Sequence, residues 1–167
     1  MFKNHTILLV EDNLDMQQYM KLLLEDDCKE LFLAKDGVSG LKQYEENNPD
    51  VIITDLNMPV MNGIEMSQKI KMQNSLQPII LLTAYGNVNE LQVAINIGLN
   101  AFISKPIENI EILFNTIKKV LNISTDIDQV REQQSQNEEN VTNFVNEILH
   151  DDLEYIDYET LIKSVQK

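Results

Sequence analysis

The chain has 167 residues, of which 27 are acidic and 13 basic, and its formal net charge at pH 7 is −14. This length, together with a hydrophobic fraction of 43%, is enough for one packed domain and a modest extension. Direct binding to nucleic acid is not expected, because contacts with phosphate groups require clustered Lys and Arg side chains.

The sequence lacks a membrane-spanning segment and a pair of cysteines. No apolar run approaches the roughly 20 residues that cross a bilayer, and the first residues lead into a strand-like segment instead of a signal peptide. A cytoplasmic protein that does not enter a membrane is therefore expected. Cys28 is the single cysteine, so no disulfide forms within the chain, and we interpret its thiol as a structural core group.

The first half of the chain alternates predicted strands and helices. Residues 6–10 form an unbroken apolar run rich in β-branched side chains, which is typical of a strand buried on both faces of a parallel sheet. Across residues 14–25 the apolar positions recur at helical spacing and predict an amphipathic helix. The pattern repeats as a strand at 30–34, a helix at 38–46 and a strand at 51–54 that leads into Asp55.

The second half continues the alternation after a loop through Gly63, where we expect a positive φ angle. The elements predicted there are a helix at 64–72, a strand at 79–82, a helix at 88–97, a strand at 101–103 and a helix at 110–121. Five strands alternating with five helices predict an α/β fold of the (βα)5 type, a doubly wound, flavodoxin-like sheet of five parallel strands. In such a sheet the ligand site lies beyond the carboxyl ends of the strands, where the strand order reverses.

Polar side chains stand where four of the predicted strands end. Glu11 and Asp12 follow the first strand, Asp55 the third, Thr83 the fourth and Lys105 the fifth. Three carboxylates at one sheet edge would repel one another unless a cation neutralised them, and oxygen ligands without a His or Cys cluster favour Mg2+. The ammonium of Lys105 and the hydroxyl of Thr83 suit the oxygens of a phosphoryl group in transfer.

Four short motifs contain these polar side chains. They are the acidic pair Glu11-Asp12, the run Asp55-Leu56-Asn57-Met58-Pro59-Val60-Met61-Asn62-Gly63, the pair Thr83-Ala84 and the pair Lys105-Pro106. Through these motifs the sequence resembles, over about residues 5–122, the receiver domain of bacterial two-component response regulators. The resemblance implies a regulatory domain and not a general enzyme. Such a domain accepts a phosphoryl group from a sensor histidine kinase or a phosphotransfer protein and slowly loses it again.

The resemblance also implies roles for the metal-binding residues. Asp55 would be the phosphorylated side chain and a Mg2+ ligand, Asp12 a direct ligand, and Glu11 its neighbour outside direct coordination. The backbone carbonyl of Asn57 would be a further ligand. The acidic pair is Glu-Asp in this chain, whereas Asp-Asp is the commoner form. Pro106 is expected to follow a cis peptide bond.

A conformational switch is expected to follow phosphorylation. The new phosphoryl oxygens would attract Thr83 and Lys105, and the loop after the fourth strand would move with Thr83. The resemblance implies that Phe102, on the fifth strand, then turns inward to fill the vacated space; the alternative is that Phe102 is an ordinary core aromatic. The altered surface would comprise the helix at 88–97, the fifth strand and the helix at 110–121.

The C-terminal part differs in charge from the rest, since residues 123–167 hold 11 of the 27 acidic side chains and 3 of the 13 basic ones. We divide the chain into a receiver domain at 1–122 and an acidic, helical extension at 123–167, which is alternatively a linker to a missing output domain. Apolar positions spaced by three and four predict a homodimer through residues 120–148; a break near residue 124 is the alternative.

His150 is followed by acidic residues, a pattern that looks a little like the phosphorylated-histidine box of some sensor kinases. The alternative is that His150 is an ordinary helix residue.

Two alternatives to a response regulator stay open. The chain would be the receiver portion of a hybrid histidine kinase if kinase domains accompanied it, with the acidic segment as a linker. It would be a Mg2+-dependent phosphatase if its carboxylates, Lys and Thr acted on outside substrates. The short loops around the predicted site leave little room for a substrate cap, which argues against a phosphatase.

Overall fold

The structure is a computed structural model that describes residues 2–84, 88–107 and 109–123. Its strands are β1 Phe2–Val10, β2 Cys28–Ala34, β3 Val51–Asp55, β4 Ile79–Ala84 and β5 Ala101–Lys105. Neighbouring strands pair in parallel in the order β2-β1-β3-β4-β5. The predicted doubly wound, five-stranded parallel sheet is therefore confirmed.

Helices cover both faces of this sheet. They are α1 Leu14–Leu24, α2 Gly37–Asn47, α3 Gly63–Gln73, α4 Val88–Asn96 and α5 Ile110–Ile123. Successive residues of β1 point to opposite faces, so that Leu9 packs in the core under α1 and α5 whereas Leu8 packs in the core under α2, α3 and α4. Two buried cores explain why the central strands read as unbroken apolar runs. None of the helices in the described ranges is long and apolar enough to cross a membrane.

All five strands extend beyond the bounds that their apolar runs predict. Strand β1 begins at Phe2, which pairs with Cys28, and its register shifts between Phe2 and Thr6. At the other end of the sheet, β4 and β5 stay paired through Thr83 with Ser104 and through Ala84 with Lys105. Polar residues thus continue the backbone ladder past the last apolar position, and they do so at the edge where the predicted site lies.

The expected positive φ angle at Gly63 is wrong. The positive φ in this loop belongs to Val60, at 70°, whose neighbours close a γ-turn in which Met61 N donates to Pro59 O at 2.8 Å. Gly63 begins α3, and a Cβ atom there would collide with the carbonyl oxygen of Asp55. Glycine is therefore required for space and not for an unusual backbone angle.

Other predictions have mixed outcomes. The peptide bond between Lys105 and Pro106 is cis, as expected. Cys28 is buried, in agreement with a core role. The proposed dimer segment beyond α5, the alternative break near residue 124 and His150 all lie outside the described residues.

Candidate functional site

The topology of the sheet creates a crevice at the ends of β1 and β3. The chain leaves β1 toward β2 on one side and later returns to β3 on the other, so the strand order reverses between these two neighbours. Glu11 and Asp12 directly follow β1, and Asp55 is the last residue of β3. The reversal point therefore carries three carboxylates.

These carboxylates lie close enough to share one ion. Glu11, Asp12 and Asp55 each offer an oxygen atom, and the three atoms lie within 4.8 Å of one another. Glu11 is fully buried and Asp55 is 9% exposed, whereas Asp12 is exposed. A set of oxygen ligands that is open to water on one side fits the hard, partly hydrated Mg2+ ion.

Lys105 joins two of the acids across the crevice. Its Nζ atom lies 2.7 Å from Glu11 Oε2 and 2.8 Å from Asp55 Oδ2. Burial acts to lower the pKa of Lys105, but the bonds to Asp55 and Glu11 outweigh it and raise the pKa above its usual value. The group is therefore an ammonium at neutral pH. The cluster thus sets one ammonium beside three carboxyl groups, an arrangement to which a divalent cation would add further positive charge.

Burial raises the pKa of the Glu11 carboxyl group, and the ammonium of Lys105 offsets part of this rise. Both oxygens of Glu11 have partners, because Oε1 accepts from Asn13 N at 3.2 Å while Oε2 contacts Lys105. Asn13 in turn caps α1, with its side chain accepting from Met16 N at 3.0 Å. The turn after β1 is thus tied to both the site and the first helix.

The remaining predicted site residues surround this cluster. Asn57 is exposed in the loop after β3, two residues past Asp55. Thr83 is buried in β4, and its hydroxyl donates to the carbonyl of Ala84 at 3.0 Å. Phe102 is partly buried and packs against the core under α2, α3 and α4. The structure brings Glu11, Asp12, Asp55 and Lys105 together; the roles predicted for Asn57, Thr83 and Phe102 stay predictions.

Two features near the site were missed from the sequence. The amide of Gly37, at the start of α2, donates to Met61 O at 3.1 Å and so holds the loop after β3. Gln17 is buried under the turn after β1, where its Nε2 donates to Glu11 O at 3.0 Å and Ala34 O at 2.9 Å. A signal for Gln17 was present, since it shares the apolar face of α1 with Met20 and Leu24.

Comparison with known proteins identifies the class. The response regulator receiver domain family model matches residues 7–135, so the chain belongs to this family. The chain therefore contains a receiver domain of two-component signalling, and the receiver domain family has a regulatory function. The match runs past residue 122, and the predicted domain boundary there stays a prediction.

Particular relatives support this assignment. The chain is 35% identical over 115 residues to the response regulator ArlR of Staphylococcus haemolyticus, covering 69% of this chain and 52% of that protein. It is 32% identical over 119 residues to the chemotaxis protein CheY of Bacillus subtilis, covering 71% and 98%. A receiver domain structure from Clostridium thermocellum superposes with a TM-score of 0.68 at 29% identity, covering 72% and 97%. The chain thus matches all of a small receiver protein but about half of the longer regulator.

Proposed function

We propose that this receiver domain accepts a phosphoryl group onto Asp55 in a Mg2+-dependent reaction with a histidine kinase or a phosphotransfer protein. One observation carries the proposal: the Asp55 carboxylate, at the end of β3, lies beside two further carboxylates and 2.8 Å from the Lys105 ammonium. Receiver domains take phosphoryl groups from such partners, and they bind Mg2+ through acidic residues.

The chemistry needs positioning and charge neutralisation more than a strong nucleophile. An Asp55 oxygen forms a bond to phosphorus while the bond between phosphorus and the donor's histidine nitrogen breaks, and the product is an acyl phosphate. Because the transition state is loose, most of the catalysis comes from holding the reactants in line and offsetting charge. Mg2+ held by Asp12, Asp55 and the Asn57 carbonyl would neutralise charge on the phosphoryl oxygens.

Lys105 supplies the second positive charge. Its amino group bridges Glu11 and Asp55 in the unphosphorylated domain, so it already lies beside the oxygen atoms that react. When the phosphoryl group arrives, the ammonium turns toward the new oxygens and keeps Glu11 as its second partner. Glu11 thus holds Lys105 in place and does not itself bind the metal.

Thr83 and Phe102 transmit the change. The Thr83 hydroxyl donates to its neighbour's carbonyl in the unphosphorylated domain, and phosphorylation offers it a charged acceptor instead, which draws the end of β4 toward Asp55. Phe102 lies beside Leu81 of β4, its partner in the strand pairing, and its side chain then turns inward. The surface of α4, β5 and α5 changes as a result and is the one that a downstream partner reads.

Intact-mass spectrometry of the full chain tests the proposal. Incubation with acetyl phosphate and Mg2+ should add the mass of one phosphoryl group, and omission of Mg2+ should remove most of the product. Asp55→Asn should prevent the addition. Asp15→Asn, an exposed acid in the first turn of α1, is the matched control and should be labelled like the wild type. An unlabelled wild type, or full labelling of Asp55→Asn, would contradict the proposal.

A further inference from the structure

Gln17 occupies an unusual place for an amide side chain. It is 7% exposed and lies on the face of α1 that packs against the sheet. Both of its amide hydrogens are used on backbone carbonyls at the end of the sheet: Nε2 donates to Glu11 O at 3.0 Å and to Ala34 O at 2.9 Å. Ala34 O also accepts from Glu11 N at 3.0 Å. The amide therefore closes the ladder between β1 and β2 at the residue where the acidic pair begins.

The Glu11 carbonyl controls the direction of the chain at Asp12. This carbonyl belongs to the planar peptide unit that joins the two residues, so fixing its orientation fixes the plane from which Asp12 leaves the strand. Within the described part of the chain, no hydrogen bond or ion pair holds the Asp12 carboxylate itself. Its placement depends on the backbone before it, whereas the Glu11 side chain is held separately by Lys105 and Asn13.

We propose that Gln17 is a positioning residue of the Mg2+ site. Its amide aims the Asp12 carboxylate by holding the Glu11 carbonyl, and it does not touch the metal or the reacting atoms. This inference rests on the proposed function, because it assigns a support to the same metal site. Removing such a support typically weakens metal affinity by about 10-fold to 100-fold.

The chain contains a matched control for this role. Gln77 is 5% exposed, and its Nε2 also donates to two backbone carbonyls, Pro49 O at 3.0 Å and Pro78 O at 3.4 Å. Pro49 and Pro78 precede β3 and β4, so Gln77 lies at the opposite edge of the sheet from the carboxylates. Replacement of either glutamine by Leu removes the same chemistry from an equally buried position.

Mg2+ binding by the 167-residue chain distinguishes the roles of the two glutamines. Isothermal titration of wild type, Gln17→Leu and Gln77→Leu with MgCl2 should give a Kd about 10-fold weaker for Gln17→Leu alone. Thermal unfolding in EDTA should show that both variants lose stability. Gln17→Asn, which keeps an amide but shortens its reach, is measured beside them and should fall between wild type and Gln17→Leu.

A second readout needs no metal. In the metal-free protein, the backbone amide resonances of Asp12 and Asn13 should shift in Gln17→Leu and stay in place in Gln77→Leu. The inference is overturned if Gln17→Leu and Gln17→Asn bind Mg2+ like the wild type, or if Gln77→Leu weakens binding equally. A wild type that binds no Mg2+ would instead reject the proposed function.

Discussion

Polar groups are arranged differently at the edge of the sheet where the strands begin and at the edge where they end. At the edge where the strands begin, they satisfy one another: Thr6 N and Oγ1 both donate to Asp50 Oδ2, at 2.6 and 2.9 Å, and Asp50 N donates back to Thr6 Oγ1 at 3.1 Å. At the edge where the strands end, three carboxylates cluster, and the ammonium of Lys105 bonds to two of them, Glu11 and Asp55. The first arrangement stabilises the fold, whereas the second leaves carboxyl groups that the proposed Mg2+ would neutralise. The following variants test that contrast, beginning with the largest expected effect.

Lys105→Met should be the most damaging. It leaves the Glu11 carboxylate, whose side chain is 1% exposed, without its cation, and we expect a loss of about 3 kcal/mol in the free energy of unfolding at pH 7.5. Burial already raises the pKa of Glu11 above its ordinary 4.5. The folded variant therefore binds a proton more tightly than the unfolded chain, and its stability should fall as pH rises above 4.5 through the raised pKa. Urea unfolding at pH 5 and pH 7.5 measures both effects.

A surface ion pair is the control for Lys105. Lys42 lies 3.7 Å from Glu46 one helical turn away, with both side chains largely exposed. Lys42→Met should change stability by less than about 0.5 kcal/mol at either pH. Equal losses in the two variants would mean that the charges at the site are as well solvated as those on the surface.

Gly63→Ala should come next, because it acts directly on the backbone of Asp55. The new Cβ atom collides with the Asp55 carbonyl oxygen, so α3 or the end of β3 must shift, at a cost of about 2 kcal/mol. Phosphorylation should slow as well. Gly98→Ala is the contrasting variant, because φ is +74° there and no atom of the described residues lies within 4 Å of an added Cβ. It should lose stability without slowing phosphorylation. Unfolding curves and labelling rates for both variants check this.

Lys71→Met, at the opposite edge, should be mildly stabilising. Burial lowers the pKa of Lys71 from 10.5 to about 8. Among the residues that the structure describes, its Nζ donates to two neutral oxygens, Ser75 O at 3.2 Å and Asn100 Oδ1 at 3.3 Å. The folded chain thus gives up this proton more readily than the unfolded chain. The penalty is full below pH 8 and disappears as pH rises to 10.5, so the variant should gain about 1 kcal/mol at pH 7 and lose that advantage by pH 10.

The exposed Lys69, on the same helix, provides the comparison for Lys71. Because the Lys69 side chain is exposed, Lys69→Met should change the free energy of unfolding in urea by less than about 0.5 kcal/mol. A wild type and a Lys71→Met variant with parallel stability profiles would show that the Lys71 amine is well solvated.

The sequence predicted the sheet and the place of the site because both follow from local patterns. Apolar runs marked the strands, and polar residues at their ends marked the shared edge, where Asp55 and Lys105 do meet. The error at Gly63 arose because a glycine needed for space and a glycine needed for a positive φ look alike in a sequence. Nothing in the sequence indicated that Val60, a β-branched residue, would adopt the positive φ instead.

Features that depend on tertiary contacts were harder to predict from the sequence. The bridge from Lys105 to both Glu11 and Asp55 joins residues far apart in the chain, and only the packing of β1, β3 and β5 decides which oxygens the ammonium reaches. The polar continuation of β5 was missed because the pattern of apolar residues ends before the backbone pairing does. The role of Gln17 could have been predicted, since a polar residue on the apolar face of a helix implies a buried hydrogen-bond partner.

The most direct test of the central claim locates the phosphoryl group. Borohydride reduction of the protein after phosphorylation with acetyl phosphate and Mg2+ converts an aspartyl phosphate to homoserine, which peptide mass spectrometry identifies by position. The proposed site predicts homoserine at position 55 and at no other aspartate. Homoserine at position 12, or a stable phosphoryl group on His150 with none on Asp55, would contradict it.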